Sequence, residues 1–93
     1  MINVDESDFH KMMIGFVRYC LPRHSYIVGD CIDIVKKHWA DLPEGTQSVI
    51  GYDVCKHIDD TQERIADYDE DFRKFHQIDL DSWKELFQWM NTN

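Results

Sequence analysis

Phe9, Met12, Met13, Phe16, Val17 and Cys20 stand at i, i+3, i+4, i+7, i+8 and i+11. Only a helix brings six such positions to one face, so the first third of this chain is constrained to an amphipathic helix with a partner to pack on. Asp5 or Ser7 can cap its start. Leu21-Pro22 ends it, because a residue before proline is pushed out of the α region. Gly15 lies off the stripe and costs roughly 1 kcal/mol against alanine in a helix interior, which predicts a close neighbour there.

The same periodicity recurs three more times. Ser25 is a predicted N-cap for a second helix running to about Ala40, with Val28, Cys31, Ile32, Val35 and Trp39 inward and Ile27 and Ile34 widening the face. A face that wide predicts a central helix. Asp33 with Lys36 and Lys37 makes ordinary surface pairs. Asp41 to Gly45 reads as a turn, after which Thr46 is the predicted cap of a third helix built on Ile50, Val54 and Ile58, with Val49 and Tyr52 beside them. That pattern continues through Thr61, Ile65 and Tyr68, predicting one long helix, straight or kinked, to about Asp67. A capping-box spacing around Thr61 argues for a break near Asp59 instead. Phe72 to Gln77 is expected as a loop or short helix. Asp79 or Asp81 then caps a last helix with Leu80, Trp83, Leu86, Phe87 and Met90 inward and Trp89 off the face, exposed. The expectation is a single all-α domain over 1–93, a bundle of about four helices, for which a 43% hydrophobic composition supplies enough core.

Charge narrows the function classes. Ten basic against eighteen acidic residues give a net charge of -8. Direct nucleic-acid binding through a basic surface is not expected. Asp59 to Glu85 carries ten acids and four bases, so most of the negative charge falls in the C-terminal third. Cys20, Cys31 and Cys55 are odd in number and lack CxxC spacing, which predicts reduced thiols in a cytoplasmic protein. Ile2-Asn3-Val4-Asp5-Glu6 after Met1 gives no basic n-region, so no signal peptide is expected. The longest uncharged apolar stretch, Met12 to Val17, is too short to span a bilayer.

No phosphate loop, HExxH, nucleophile elbow or calcium loop is present. The histidines (His10, His24, His38, His57, His76) never stand at i, i+4, and no nucleophile–base pair is legible. The expectation is therefore a protein that is not an enzyme, with no catalytic residue, no metal and no cofactor.

Two places remain as candidate sites. The first is the corner, Arg18, Arg23, His24, Ser25 and Tyr26, where free helix N–H groups and cationic side chains could hold a phosphate or a partner's carboxylate. The plainer reading, which we prefer, is that Arg18 and Arg23 pair with acids of the same chain such as Asp53 or Asp30 and lock helices together. The second is the acidic face, Asp67, Asp69, Glu70 and Asp71, with exposed Trp89. Carboxylates there could imitate nucleic-acid phosphates before a basic groove, or simply form a solvated surface.

The string Arg18-Tyr19-x-Leu21-x-Arg23-x-Ser25-Tyr26-Ile27-Val28, followed by Trp39, Leu42 and Asp53, resembles small phage- and prophage-encoded proteins of unassigned function. These carry an Arg-Tyr-Ala-Leu-Gly-Arg corner followed by Ser-Tyr or Thr-Tyr, and a tryptophan-containing C-terminal helix like Ser82-Trp83-Lys84-Glu85-Leu86. The likeness covers about 70 residues in scattered pieces. It departs at Cys20, where the pattern has alanine, and at Pro22, where it has glycine. Proline fixes φ near -65°, so the corner can turn differently. The resemblance implies a phage setting and the cytoplasm of a bacterial host cell, and carries no catalytic residues.

These observations together predict a small acidic phage protein that binds and modulates a host protein, for example a nucleic-acid-handling or anti-phage defence complex. The expected partner is a host or phage protein with a basic surface, and no membrane is involved. Two alternatives stand beside it: a phosphate- or nucleotide-recognising module on the Arg18–Tyr26 corner, and a homo-oligomer, such as a homodimer, with an aromatic interface.

Overall fold

The structure, a computed structural model, describes residues 5–93. Of the lead-in expected over residues 1–6, 1–4 lie outside the described residues, and Asp5 and Glu6 are instead the cap and the first residue of a helix. Four α-helices follow in order: α1 (Glu6–Cys20), α2 (Tyr26–His38), α3 (Glu44–Ile65) and α4 (Glu70–Thr92), with a short 3-10 turn at Trp39–Asp41. Among the described residues there is no strand, and no helix is long and apolar enough to cross a membrane.

Each helix boundary has a local cause. Asp5 caps α1, its carboxylate accepting the Asp8 N–H at 2.8 Å. Met13, Val17 and Cys20 of the α1 stripe are buried, whereas Met12 is 58% exposed. Helix α2 stops short of the predicted Ala40 because the chain tightens into the 3-10 turn, which buries Trp39 and Leu42. Helix α3 begins at Glu44, ahead of the predicted Thr46 cap. Pro43 holds the extended N-cap conformation, and Gln47 Nε2 donates to the Trp39 carbonyl at 2.7 Å, tying the helix to the turn before it. No break occurs near Asp59, since Ile58, Thr61 and Ile65 are all buried on one face of a continuous α3.

The C-terminal half differs from expectation more. Phe72 to Gln77 is neither loop nor separate helix, and neither Asp79 nor Asp81 is a cap. Asp69 caps α4 instead, accepting the Phe72 N–H at 2.9 Å, with Glu70 and Asp71 in the first turn where the helix dipole favours acids. Arg73 completes the hairpin. Its Nε donates to the Ile65 carbonyl at 3.2 Å, which also accepts the Tyr68 N–H, and its Nη2 to the Ala66 and Tyr68 carbonyls at 3.4 and 3.1 Å, adding donors at the end of α3 and in the turn after it.

Helix α1 packs on α2 and α3, and α4 packs on α2 and α3, so every helix has two flanking neighbours. One core joins all four, with Val17, Cys20, Val28, Cys31, Val35, Ile50, Val54, Leu80, Trp83 and Leu86 fully enclosed. Burying each aliphatic side chain of this kind contributes about 1.5–3 kcal/mol. Trp83 is 0% exposed, and its indole N–H finds no acceptor among the described residues, a cost of about 1–3 kcal/mol that the buried ring area must offset.

Three further expectations need correction or completion. The predicted neighbour at Gly15 is not found, as none of the described residues lies within 4 Å of where a Cβ would sit. Trp89 is half-buried, packed edge-on against Trp39 with centroids 6.2 Å apart and covered by Lys36, so it is not an exposed residue of the acidic face. The three thiols are free, with Cys20 and Cys31 buried and Cys55 half-buried. Burial pushes the Cys20 and Cys31 thiols up from their ordinary range.

Unequal helix lengths shape the molecule, which measures 47 × 29 × 17 Å. The start of α2 lies against Asp79, and the nine residues Glu70–Ile78 of α4 precede that point. The α3–α4 hairpin therefore runs past the corner between α1 and α2. The corner ends in a step, and both candidate sites lie at that step.

Candidate functional site

The step is built from below by α3 and α4 and closed from the side by the corner. Ser25 takes φ 65°, a backbone region that disfavours any residue but glycine, and its side chain makes no capping bond. A carboxylate from another helix holds it there. Asp79 Oδ1 accepts the Ser25 N–H at 3.3 Å, and Asp79 Oδ2 accepts from His24 Nδ1 at 2.8 Å. One aspartate thus fixes the corner to α4 and places negative charge at the uncapped N-terminus of α2.

The remaining corner residues divide. Arg18 Nε donates to Asp53 Oδ2 at 2.8 Å, the internal pairing expected of it; the arginine is exposed and the aspartate largely covered. Among the described residues Arg23 has no such acid. Its guanidinium lies over the Tyr19 ring at 4.1 Å. Tyr26 is 76% exposed. The fastening reading of the corner therefore fits Arg18, and it fits His24 with a partner, Asp79, that sequence reasoning had placed at a helix cap.

A cleft of about 110 Å³ opens under the corner, lined by Arg23 and His24 above and by His57, Thr61, Arg64 and His76 below. Thr61 Oγ1 links two of them at long range, 3.4 Å from His57 Nε2 and 3.4 Å from Arg64 Nη2. His57 titrates below its ordinary 6.5, chiefly through burial, with Arg64 and His24 adding to the shift and Asp60 opposing it. His76 is lowered likewise, by burial first and then by His24, against Asp79. The His76 ring stands against those of His24, Tyr68, Phe72 and Phe75, and its Nε2 is buried with no hydrogen-bond partner among the described residues. Among the described residues, no group of three or more histidine, cysteine or acidic side chains is arranged to hold a metal ion.

Beside the cleft, the first turns of α4 carry Phe72, Phe75 and Ile78, respectively 48%, 50% and 70% exposed. Tyr68, Phe72, His76, Phe75 and His24 form a continuous chain of ring contacts. The acidic candidates rim this patch unevenly in function: Asp69 is the α4 cap, Glu70 pairs with Lys74 at 3.3 Å, and Asp67 and Asp71 are exposed. Trp89 lies near the opposite end of α4, roughly 27 Å from Asp71 along the helix at 1.5 Å per residue.

Sequence reasoning missed His57, Thr61, Arg64, His76, Asp79 and the three exposed apolar residues as members of one region. A signal was present. Carrying the inward stripe of the last helix back from Trp83 and Leu80 in steps of three and four reaches His76 and Phe72. Reading 72–77 as a loop concealed it.

Compared with protein-family models, curated proteins and solved structures, the chain matches none.

Proposed function

We propose that this protein is a non-catalytic binding module whose docking face is the first turns of α4, and that its partner is a protein with an apolar knob inside a basic rim. The observation that carries this reading is the exposure of Phe72, Phe75 and Ile78 together on one side of a helix flanked by Asp67, Asp69, Glu70, Asp71 and Asp81. Large apolar side chains grouped at a surface favour a partner. The surrounding carboxylates select its charge. A second copy of this chain, also at -8, would bring like charges together around the patch, which disfavours the homo-oligomer alternative. The resemblance of the corner to phage-encoded proteins favours a host protein as the partner, in the cytoplasm of an infected bacterium.

Capture from infected cells tests the reading when wild-type protein is run beside a Phe72→Ser/Phe75→Ser/Ile78→Ser variant. The expected result is a basic protein retained by the wild type and lost from the variant, with helix content and melting temperature unchanged. Association with the purified partner should slow as salt rises and in Asp67→Asn/Asp71→Asn, because screening and charge removal act on the encounter. Equal retention by the folded variant overturns the proposal.

A further inference from the structure

The cleft under the corner has a second chemistry that the docking face does not use. The chain holds eighteen acids and only four arginines. With so many carboxylates available, each arginine would be expected to find one. Arg18 pairs with Asp53, and Arg73 is committed to the carbonyls at the end of α3. Arg23 and Arg64 have no carboxylate within 4.0 Å among the described residues, and both line the same cleft. Asp60 and Glu63 lie within one turn of Arg64 on α3 without reaching it. Asp79, the acid lining the cleft, is already held by His24 and the Ser25 N–H.

We propose that this cleft is a phosphate site, in which Arg23 and Arg64 bind the dianion of inorganic phosphate or of a phosphate monoester. Guanidinium groups present forked N–H donors matched to phosphate oxygens. Arg23 comes from the corner and Arg64 from α3, so the anion bridges elements that the hairpin alone does not connect. Thr61 Oγ1 stands beside Arg64 and offers a hydroxyl donor. His57 and His76, on opposite helices of the hairpin, line the same space. Each can donate an N–H as neutral imidazole, and each can take up a proton when an anion stands beside it. A volume of about 110 Å³ has room for several waters, comparable to one tetrahedral oxyanion, but not for a base and sugar as well. The group read is therefore the phosphate, and the rest of a monoester would extend out of the cleft into solvent.

The site stands on its own residues and is independent of the docking-face reading. Its test is titration of the isotopically labelled protein with inorganic phosphate and, in parallel, with adenosine monophosphate, at constant ionic strength held by sodium chloride. Amide shifts confined to Arg23, Thr61, Arg64 and His76, with movement of the His57 and His76 ring signals, are expected in at least one arm. The tighter arm identifies the source. Arg64→Gln and Arg23→Gln, both changes at exposed side chains, should each weaken binding about tenfold, the worth of one charge-assisted hydrogen bond. Circular dichroism checks that each variant is folded, and either folded variant suffices. Absence of saturable shifts in both arms, or shifts of equal affinity in a folded variant, overturns the assignment.

Discussion

His24 and Asp79, 55 positions apart in the chain, meet at 2.8 Å and carry between them the attachment of the corner to the α3–α4 hairpin. The same carboxylate holds the Ser25 N–H, so removing it affects a side chain and a strained backbone together. Asp79→Ala should lower stability by about 1–2 kcal/mol, the lower part of the range for losing one partner of a covered pair, since His24 is 41% exposed. At roughly 4–8 °C per kcal/mol for a domain of this size, thermal melting resolves that change. An unchanged melting temperature would show that the corner is held by packing alone.

Arg73 supplies three donors to carbonyls on the far side of the α3–α4 turn. Arg73→Ala should destabilise by about 1–2 kcal/mol and raise amide exchange at the end of α3 and the start of α4 before it does so elsewhere. Arg73→Lys should recover only part of the loss, as an ammonium cannot reproduce the forked geometry. Uniform exchange across all four helices in the alanine variant would count against a local clamp.

Stability should fall on the acid side. His57 and His76 both titrate below their ordinary 6.5 in the folded protein, so between the folded and unfolded values the unfolded chain binds more protons. Their contribution is fully present above about pH 6.5 and is lost as pH falls through the folded values. Urea midpoints measured from about pH 7.5 downward should decline across that window, and the decline should flatten in His57→Gln/His76→Gln. A variant whose profile parallels the wild type would assign the acid sensitivity to other groups.

Two backbone substitutions should stabilise. Gly15 sits in the middle of α1 with none of the described residues within 4 Å of the place a side-chain methyl would take, so Gly15→Ala should gain about 0.5–1 kcal/mol. Ser25 is the reverse case, a non-glycine residue at φ 65°, and Ser25→Gly should gain about 1 kcal/mol by releasing strain. Denaturant midpoints read both. A loss at position 25 would mean that the serine side chain does something beyond occupying the turn.

The four helices and most of their inward faces were legible in the sequence, because apolar side chains at helical spacing leave few ways to be buried, although Met12, Ile34 and Tyr52 are exposed. The first helix does end before Pro22, but Leu21 keeps helical dihedrals (φ -53°, ψ -45°), so the reason expected, a pre-proline residue pushed out of the α region, is not what ends it. Asp5 was one of two caps that the sequence offered and Asp53 one of two acids that it offered to the arginines; the structure caps α1 with Asp5 and joins Asp53 to Arg18 across 35 positions. Where α4 begins was not. Asp69, Asp79 and Asp81 all offer capping oxygens; Asp69 takes the cap, with Glu70 and Asp71 in the first turn and Arg73 bonded to the Ile65 carbonyl across the turn. That choice made 72–77 helical, set Phe72, Phe75 and Ile78 on one side and turned Asp79 toward His24. The cleft was less legible still. Arg23, His57, Arg64 and His76 share no spacing that a linear pattern could register, since they come from a corner and two helices. The sequence by itself determined which faces are buried, because burial is a property of periodicity along one element. Only the tertiary structure decided which polar groups meet, because helices of unequal length, packed side by side, leave a step whose position depends on all of them.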